Sequence, residues 1–197
     1  MKRNIVILVL GSCCLFNSCY ELDLNPLSQG SSENWYSSET EIEMALKDGY
    51  RQDFWPKDKE EWTDDYVYRE TNSAIVNGTL NGQTDEVTKM WSNQYKAIAR
   101  ANTVLANMEK AQSLGISQSK IDQYTAEAYF LRASMYSTLI SHFGDVVYVT
   151  EVMDVDQAFE VGRTAKAEII PKVYEDFDKA AAGLPLVYTG STSQRAT

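Results

Sequence analysis

Between Asp85 and Ala111 the residues Val87, Trp91, Tyr95, Ile98, Asn102, Leu105 and Met108 recur every three or four positions. That spacing places them on one stripe of an α-helix. Asn102 is the odd member, a polar amide on an otherwise apolar face. A buried amide must find hydrogen-bond partners, so Asn102 is expected to bond a backbone group or a neighbouring helix. Leu114-Gly115 breaks this helix, and Ser117 or Ser119 can cap the next.

The second long helix is expected over Asp122–His142, with Tyr124, Ala128, Leu131, Met135 and Leu139 as its stripe. Ala126, Ala128, Ala133 and Ser134 are small and permit close helix–helix approach, and Gly144 supplies a C-cap. A third amphipathic helix spans Thr164–Gly183 through Ile170, Val173, Phe177 and Ala180. Pro171 lies within it and is expected to kink it or delay its start. Upstream, Ser38-x-x-Glu41 forms a capping box before Ile42, Ala45 and Leu46, so a shorter helix opens there and stops before Pro56. Val146–Val152 is β-branched and extended. Lys57–Gln83 shows no sustained period and reads as a long loop, a class of segment often functional. The fold class is therefore mainly α, with antiparallel helix pairs, short turns and long loops. No repeat of fixed period stands out, but these helix lengths suit a tetratricopeptide-like stack.

The N-terminus carries a different signal. Lys2 and Arg3 precede an apolar run, Ile5 to Phe16, which ends at Asn17-Ser18-Cys19. A run of about a dozen residues is shorter than the roughly 20 that cross a bilayer, and the three-part form is that of a secretory signal. All three cysteines, Cys13, Cys14 and Cys19, lie in or beside this leader. Cleavage before Cys19 leaves a mature chain with one cysteine and no internal disulfide. A lone cysteine at that position resembles the lipid-modified residue of a bacterial lipoprotein, attached to a membrane through acyl chains. Cys13 is the rival, with the better local box Leu10-Gly11-Ser12, but it leaves an apolar core of only about six residues. The expected organisation is a signal peptide over 1–18, a polar tether over 19–37 and a helical domain over 38–197.

Formal net charge is −10, which argues against a nucleic acid partner. His142 is the sole histidine, so no His-rich metal site and no Ser-His-Asp set can be assembled around it; its place at a helix end suits the helix dipole. No Gly-rich phosphate loop is present. Asp64-Asp65 would serve glycoside hydrolysis only if carboxylates faced each other across a cleft; a solvated patch or a calcium contact is the plainer account. The chain is expected to need no cofactor and no metal, to have no catalytic residue and not to be an enzyme. The candidate ligand-binding residues are Trp62, Tyr66, Tyr68, Asn72 and Asn77 in the long loop. Aromatic rings stack on the C–H faces of sugars while amides bond their hydroxyls, the mixture a binding site requires.

Four segments, in order, resemble one family. Cys19 is followed by Leu22-Asp23-Leu24-Asn25-Pro26. Trp91-x-x-x-Tyr95-x-x-Ile98-x-x-x-Asn102 follows, and then Ala126-Glu127-Ala128-Tyr129-Phe130-Leu131-Arg132-Ala133 with His142-Phe143-Gly144-Asp145. Asp176-Phe177-x-x-Ala180 with Leu184-Pro185 completes the set. The chain resembles the SusD/RagB-type nutrient-uptake lipoproteins in these motifs. Two departures stand out: Val147 occupies a position where the family usually has proline, and the family's proteins are longer. Gln194-Arg195-Ala196-Thr197 falls where the resemblance expects Gly-Arg-Ala-Thr and a further helix, so the sequence resembles the family's N-terminal portion, and the helical domain over 38–197 is expected to be an incomplete fragment at its C-terminus. The resemblance implies an outer-membrane, surface-facing lipoprotein that captures oligosaccharides for a TonB-dependent, SusC-like barrel. The alternative is a helical-repeat adaptor that binds only protein and uses its aromatic residues as core.

Overall fold

Ser38 accepts a hydrogen bond from Glu41 N at 3.4 Å and opens α1, Glu39–Asp48. The return half of the expected capping box is displaced by one residue: the Glu41 carboxylate accepts from Ser37 N at 2.7 Å and from Ser37 Oγ at 2.9 Å. The computed structural model describes residues 35–55, 63, 69, 74–187 and 195–197. Tyr36–Thr197 forms one compact unit. A 3₁₀ turn, Gln52–Phe54, follows α1. Then come α2, Asp85–Ala106, a short α3, Met108–Ser113, and α4, Gln118–Phe143. Strand β1, Val146–Val147, the short helix α5, Val155–Glu160, strand β2, Arg163–Thr164, and α6, Lys166–Gly183, complete the order.

The sequence pattern predicts one helix from Asp85 to Ala111; the structure divides it at Asn107. There φ is −98° and ψ is 3°, and the Asn107 Nδ2 donates to the Thr103 carbonyl at 2.8 Å. A side-chain amide that takes a helical carbonyl competes with the backbone ladder and ends the run. Pro171 does not delay α6, which begins five positions before it. Helix α5 has no counterpart in the sequence pattern because nothing in it is buried and it therefore has no stripe.

Helix α4 is the centre of the stack, with α2 packed on one side and α6 on the other. The ring of Trp91, near the start of α2, meets Phe143 at the end of α4 with centroids 5.1 Å apart. Lys166 N, at the start of α6, donates to Asp145 just past the end of α4 at 2.8 Å. Both neighbours therefore run antiparallel to α4, the mainly α, tetratricopeptide-like arrangement expected. Buried between two partners, α4 hides Tyr124, Ala128, Leu131, Met135 and Leu139, the whole expected stripe, and also Ala126, Glu127, Arg132 and Tyr136. Gly144 then turns the chain with φ 72° and ψ −116°, a conformation open to glycine and closed to side chains with a Cβ.

At its far end α6 touches α4 through Gly183. A Cβ on Gly183 would stand 2.7 Å from Ala126 Cβ and 3.2 Å from the Asp122 carbonyl oxygen. Neither atom can rotate away. Gly183→Ala is expected to destabilise the protein by about 1–3 kcal/mol through overpacking, although alanine is the better helix former by about 1 kcal/mol. Urea unfolding measures the balance, and a variant as stable as the parent would contradict this close approach.

Strand β1 pairs with β2 at Val146↔Thr164 and Val147↔Arg163, and the chain runs on extended beyond it. Several backbone groups of β1 and the segment after it are met by helix side chains. Tyr95 Oη donates to Val147 O at 2.8 Å. Tyr136 Oη donates to Val149 O at 2.9 Å and accepts from Val149 N at 2.7 Å. Asn102 Nδ2 donates to Val149 O at 3.1 Å and Glu151 O at 3.3 Å. Such pairing satisfies polar backbone groups that a segment with so little strand would otherwise leave unmet against the helices. It also bears out the expectation that Asn102 bonds backbone groups.

Candidate functional site

Asn102 Oδ1 accepts from Arg132 Nη1 at 3.0 Å, and Arg132 is itself the hub of a buried polar cluster. Its Nε and Nη2 donate to the two carboxylate oxygens of Asp176 at 2.7 and 2.9 Å, and Nη1 also reaches Thr150 O at 3.2 Å. Burial opposes the guanidinium charge, but the Asp176 hydrogen bonds outweigh it and the net effect holds Arg132 above its ordinary range. Every nitrogen of the fork is used. The cluster ties α2, α4, α6 and the extended segment together and is buried away from solvent, so it is framework.

Open space lies elsewhere, where α2 begins and α4 ends. A groove of about 370 Å³ is bounded by Gly82, Val87, Thr88, Trp91, Phe143 and Arg163, within the range of roughly 300–1,000 Å³ common for small-molecule sites. Its floor is aromatic. The Trp91 and Phe143 rings stand nearly perpendicular, at an interplanar angle of 88°, and Tyr95 lies tilted against Trp91 with centroids 5.0 Å apart. Burial raises the Tyr95 hydroxyl to about 12, partly offset by the Val147 backbone and by the Arg163 charge. It therefore stays protonated as a donor. Val87 and Phe143 also line a second hollow of about 130 Å³, together with Ile75, Leu80, Met90 and Glu86. The two hollows meet at those shared side chains.

His142 borders the smaller hollow. Its Nδ1 lies 2.9 Å from the Thr138 carbonyl, which can only accept, so Nδ1 carries the proton. The ring sits in the last turn of α4, the favourable end of the helix dipole for a cation. Among the described residues no group of three or more His, Cys, Asp or Glu is placed to hold a metal ion, and no helix is long and apolar enough to cross a membrane.

Of the loop residues expected to bind ligand, Asn77 is described. It is exposed in the turn spanning 74–78, between Ile75 and Leu80 of the smaller hollow. Trp62, Tyr66, Tyr68 and Asn72 lie outside the described residues, as do Asp64-Asp65 and the lipidation candidate Cys19. The groove instead brings forward Trp91, Phe143, Thr88 and Arg163, which the sequence pattern does not single out as ligand contacts. Trp91 falls on the α2 stripe and so reads as core. The available clue is its position in the first two turns, where only the last turn of α4 reaches the stripe and the ring is left half-buried.

Comparison with known proteins places these features in a group. A family model described as "Starch-binding associating with outer membrane", of the SusD-like type, matches residues 34–197. SusD-like protein P2 of Formosa agariphila is 23% identical over 181 residues, which cover 85% of this chain and 35% of that protein. The chain thus spans about a third of that curated relative's length. A SusD-like carbohydrate binding protein of Bacteroides fragilis has a similar structure, with TM-score 0.63 and 26% identity over 81% of this chain and 34% of that one. A laminarin binding SusD-like protein superposes with TM-score 0.58 and 26% identity, over 63% of this chain and 26% of that one.

Proposed function

The chain belongs to the SusD-like family, and from that premise we propose that it captures oligosaccharides at the outer membrane without altering them. The observation that carries this reading is the aromatic floor made by Trp91 and Phe143 in an open groove of about 370 Å³. Two relatives of like fold, one described as carbohydrate binding and the other as laminarin binding, support it. The chain is made as a precursor that becomes lipid-anchored, and it supplies the N-terminal part of a longer protein. Residues 1–18 are the signal peptide, Cys19 takes the acyl chains, 19–37 form a polar tether and 38–197 supply the helical domain. Bound ligand passes to a TonB-dependent, SusC-like barrel, and Trp62, Tyr66, Tyr68, Asn72 and Asn77 in the long loop extend the contact surface for sugar.

A flat ring face gives a sugar a place to rest its C–H groups, and water released from both surfaces drives the association. Trp91→Ala removes that face. The expected loss is about 2 kcal/mol, roughly thirtyfold in affinity, as for an aromatic anchor at the centre of an interface. Trp91→Phe should retain much of it. Isothermal titration of the full chain against neutral and acidic oligosaccharides, with laminarin- and starch-derived ones included, provides the measurement. If Trp91→Ala binds as tightly as the parent, the groove is not the site. If no sugar binds at all, the adaptor reading takes over.

A further inference from the structure

Arg163 is the one ionisable side chain among the described residues that line the main groove. Its backbone is held by antiparallel pairing with Val147, whose carbonyl in turn accepts from Tyr95, so the base of the side chain is fixed beside the aromatic floor. The residue is exposed. Arg51, Arg100, Arg132 and Arg195 each hold a carboxylate. Among the described residues Arg163 has no such partner. Its charge also reaches the nearby Tyr95 hydroxyl, where it opposes the effect of burial.

Building on the oligosaccharide reading above, we propose that Arg163 receives the carboxylate or sulfate of an acidic sugar while a neighbouring ring of the same oligosaccharide rests on Trp91 and Phe143. A guanidinium fork matches a planar carboxylate or a sulfate face with two parallel hydrogen bonds. The rest of the protein narrows the ligand further. Net charge is −10, and Glu86 lines the adjoining hollow. At physiological salt the screening length is about 8 Å, so Arg163 governs its own end of the groove while the wider surface repels a polyanion. The ligand that fits has an isolated acidic residue among neutral ones.

The test is titration of the full chain with matched pairs. One arm uses a xylo-oligosaccharide bearing a single glucuronate and its unsubstituted counterpart of equal length. The other uses a sulfated galactan oligosaccharide and the same oligosaccharide after desulfation. The charged member of at least one pair should bind roughly tenfold tighter, as expected for a charge-assisted hydrogen bond pair, and the arm in which it does so tells carboxylate from sulfate. Arg163→Gln should bring the charged member down to the level of the neutral one, Arg163→Lys should keep part of the difference, and added salt should shrink it. Melting temperatures of both variants check that the fold is intact. Equal binding within every pair, or a preference that persists in Arg163→Gln, overturns the proposal and leaves oligosaccharide capture standing. Absence of binding in both arms, neutral members included, overturns the oligosaccharide reading and this proposal with it.

Discussion

Asp176→Ala is expected to cost about 3–5 kcal/mol, because it leaves the Arg132 guanidinium buried without its counter-ion. Both side chains are almost wholly out of water, 6% and 4% exposed. Lys179 stands 3.8 Å from the same carboxylate but is half in solvent and cannot take over the role. For a unit of this size each kcal/mol lowers the melting temperature by about 2–4 °C, so a fall on the order of 10 °C is anticipated. The double replacement Arg132→Met with Asp176→Leu should recover a large part of the loss, since a well-packed apolar pair does not carry the desolvation cost. Recovery stays incomplete because Asn102 Oδ1 and Thr150 O then lose a donor, at about 1–3 kcal/mol for each stranded group. Asp85→Ala, at an exposed pair with Lys89, serves as the control and should leave melting unchanged. Should the double variant be no better than Asp176→Ala, the cost would belong to the amide and carbonyl and not to the charge.

That cluster also shows how far the residues alone reveal the fold. Asn102 is conspicuous because an amide interrupts an apolar period, and its need for partners follows directly. Arg132 and Asp176 give no such signal: each sits among polar and apolar neighbours on a helix, and 44 positions separate them. Long helices with regular stripes are legible because their periodicity is set locally. Helix α5 is not, since Val155 and Phe159 are 72% and 83% exposed and bury no face that would write a pattern. The groove is harder still. It forms where the start of α2, the end of α4 and β2 converge, and Trp91, Phe143 and Arg163 are brought together only by the antiparallel packing of elements far apart in the chain. A stripe read from sequence cannot tell which of its turns a neighbour will cover, so Trp91 reads as core when part of it lines an open groove.

The second large effect lies at the other buried ion pair. Glu127, on α4, is 0% exposed, and Arg195, 6% exposed, spans its carboxylate with Nε donating to Oε1 at 2.7 Å and Nη2 donating to Oε2. The next residue continues the attachment, with Ala196 N donating to Tyr50 Oη at 3.1 Å. Burial, and then the nearby Glu127 charge, push the Tyr50 hydroxyl well above its ordinary range, which keeps its proton in place. Residues 195 and 196 thereby pin the turn after α1 against the central helix. Arg195→Met retains most of the side chain's volume but removes the charge, and leaves a carboxylate with no access to water. The expected loss is about 3–5 kcal/mol. Adding Glu127→Gln to that variant should restore much of the stability, because a neutral amide costs far less to bury than an unpaired ion. Hydrogen exchange gives an independent readout: the Ala196 amide should exchange much faster in Arg195→Met, while amides in the middle of α4 slow or quicken only with global stability. If Arg195→Met melts with the parent and Ala196 stays protected, the contact with Tyr50 holds the segment by itself and the ion pair is incidental.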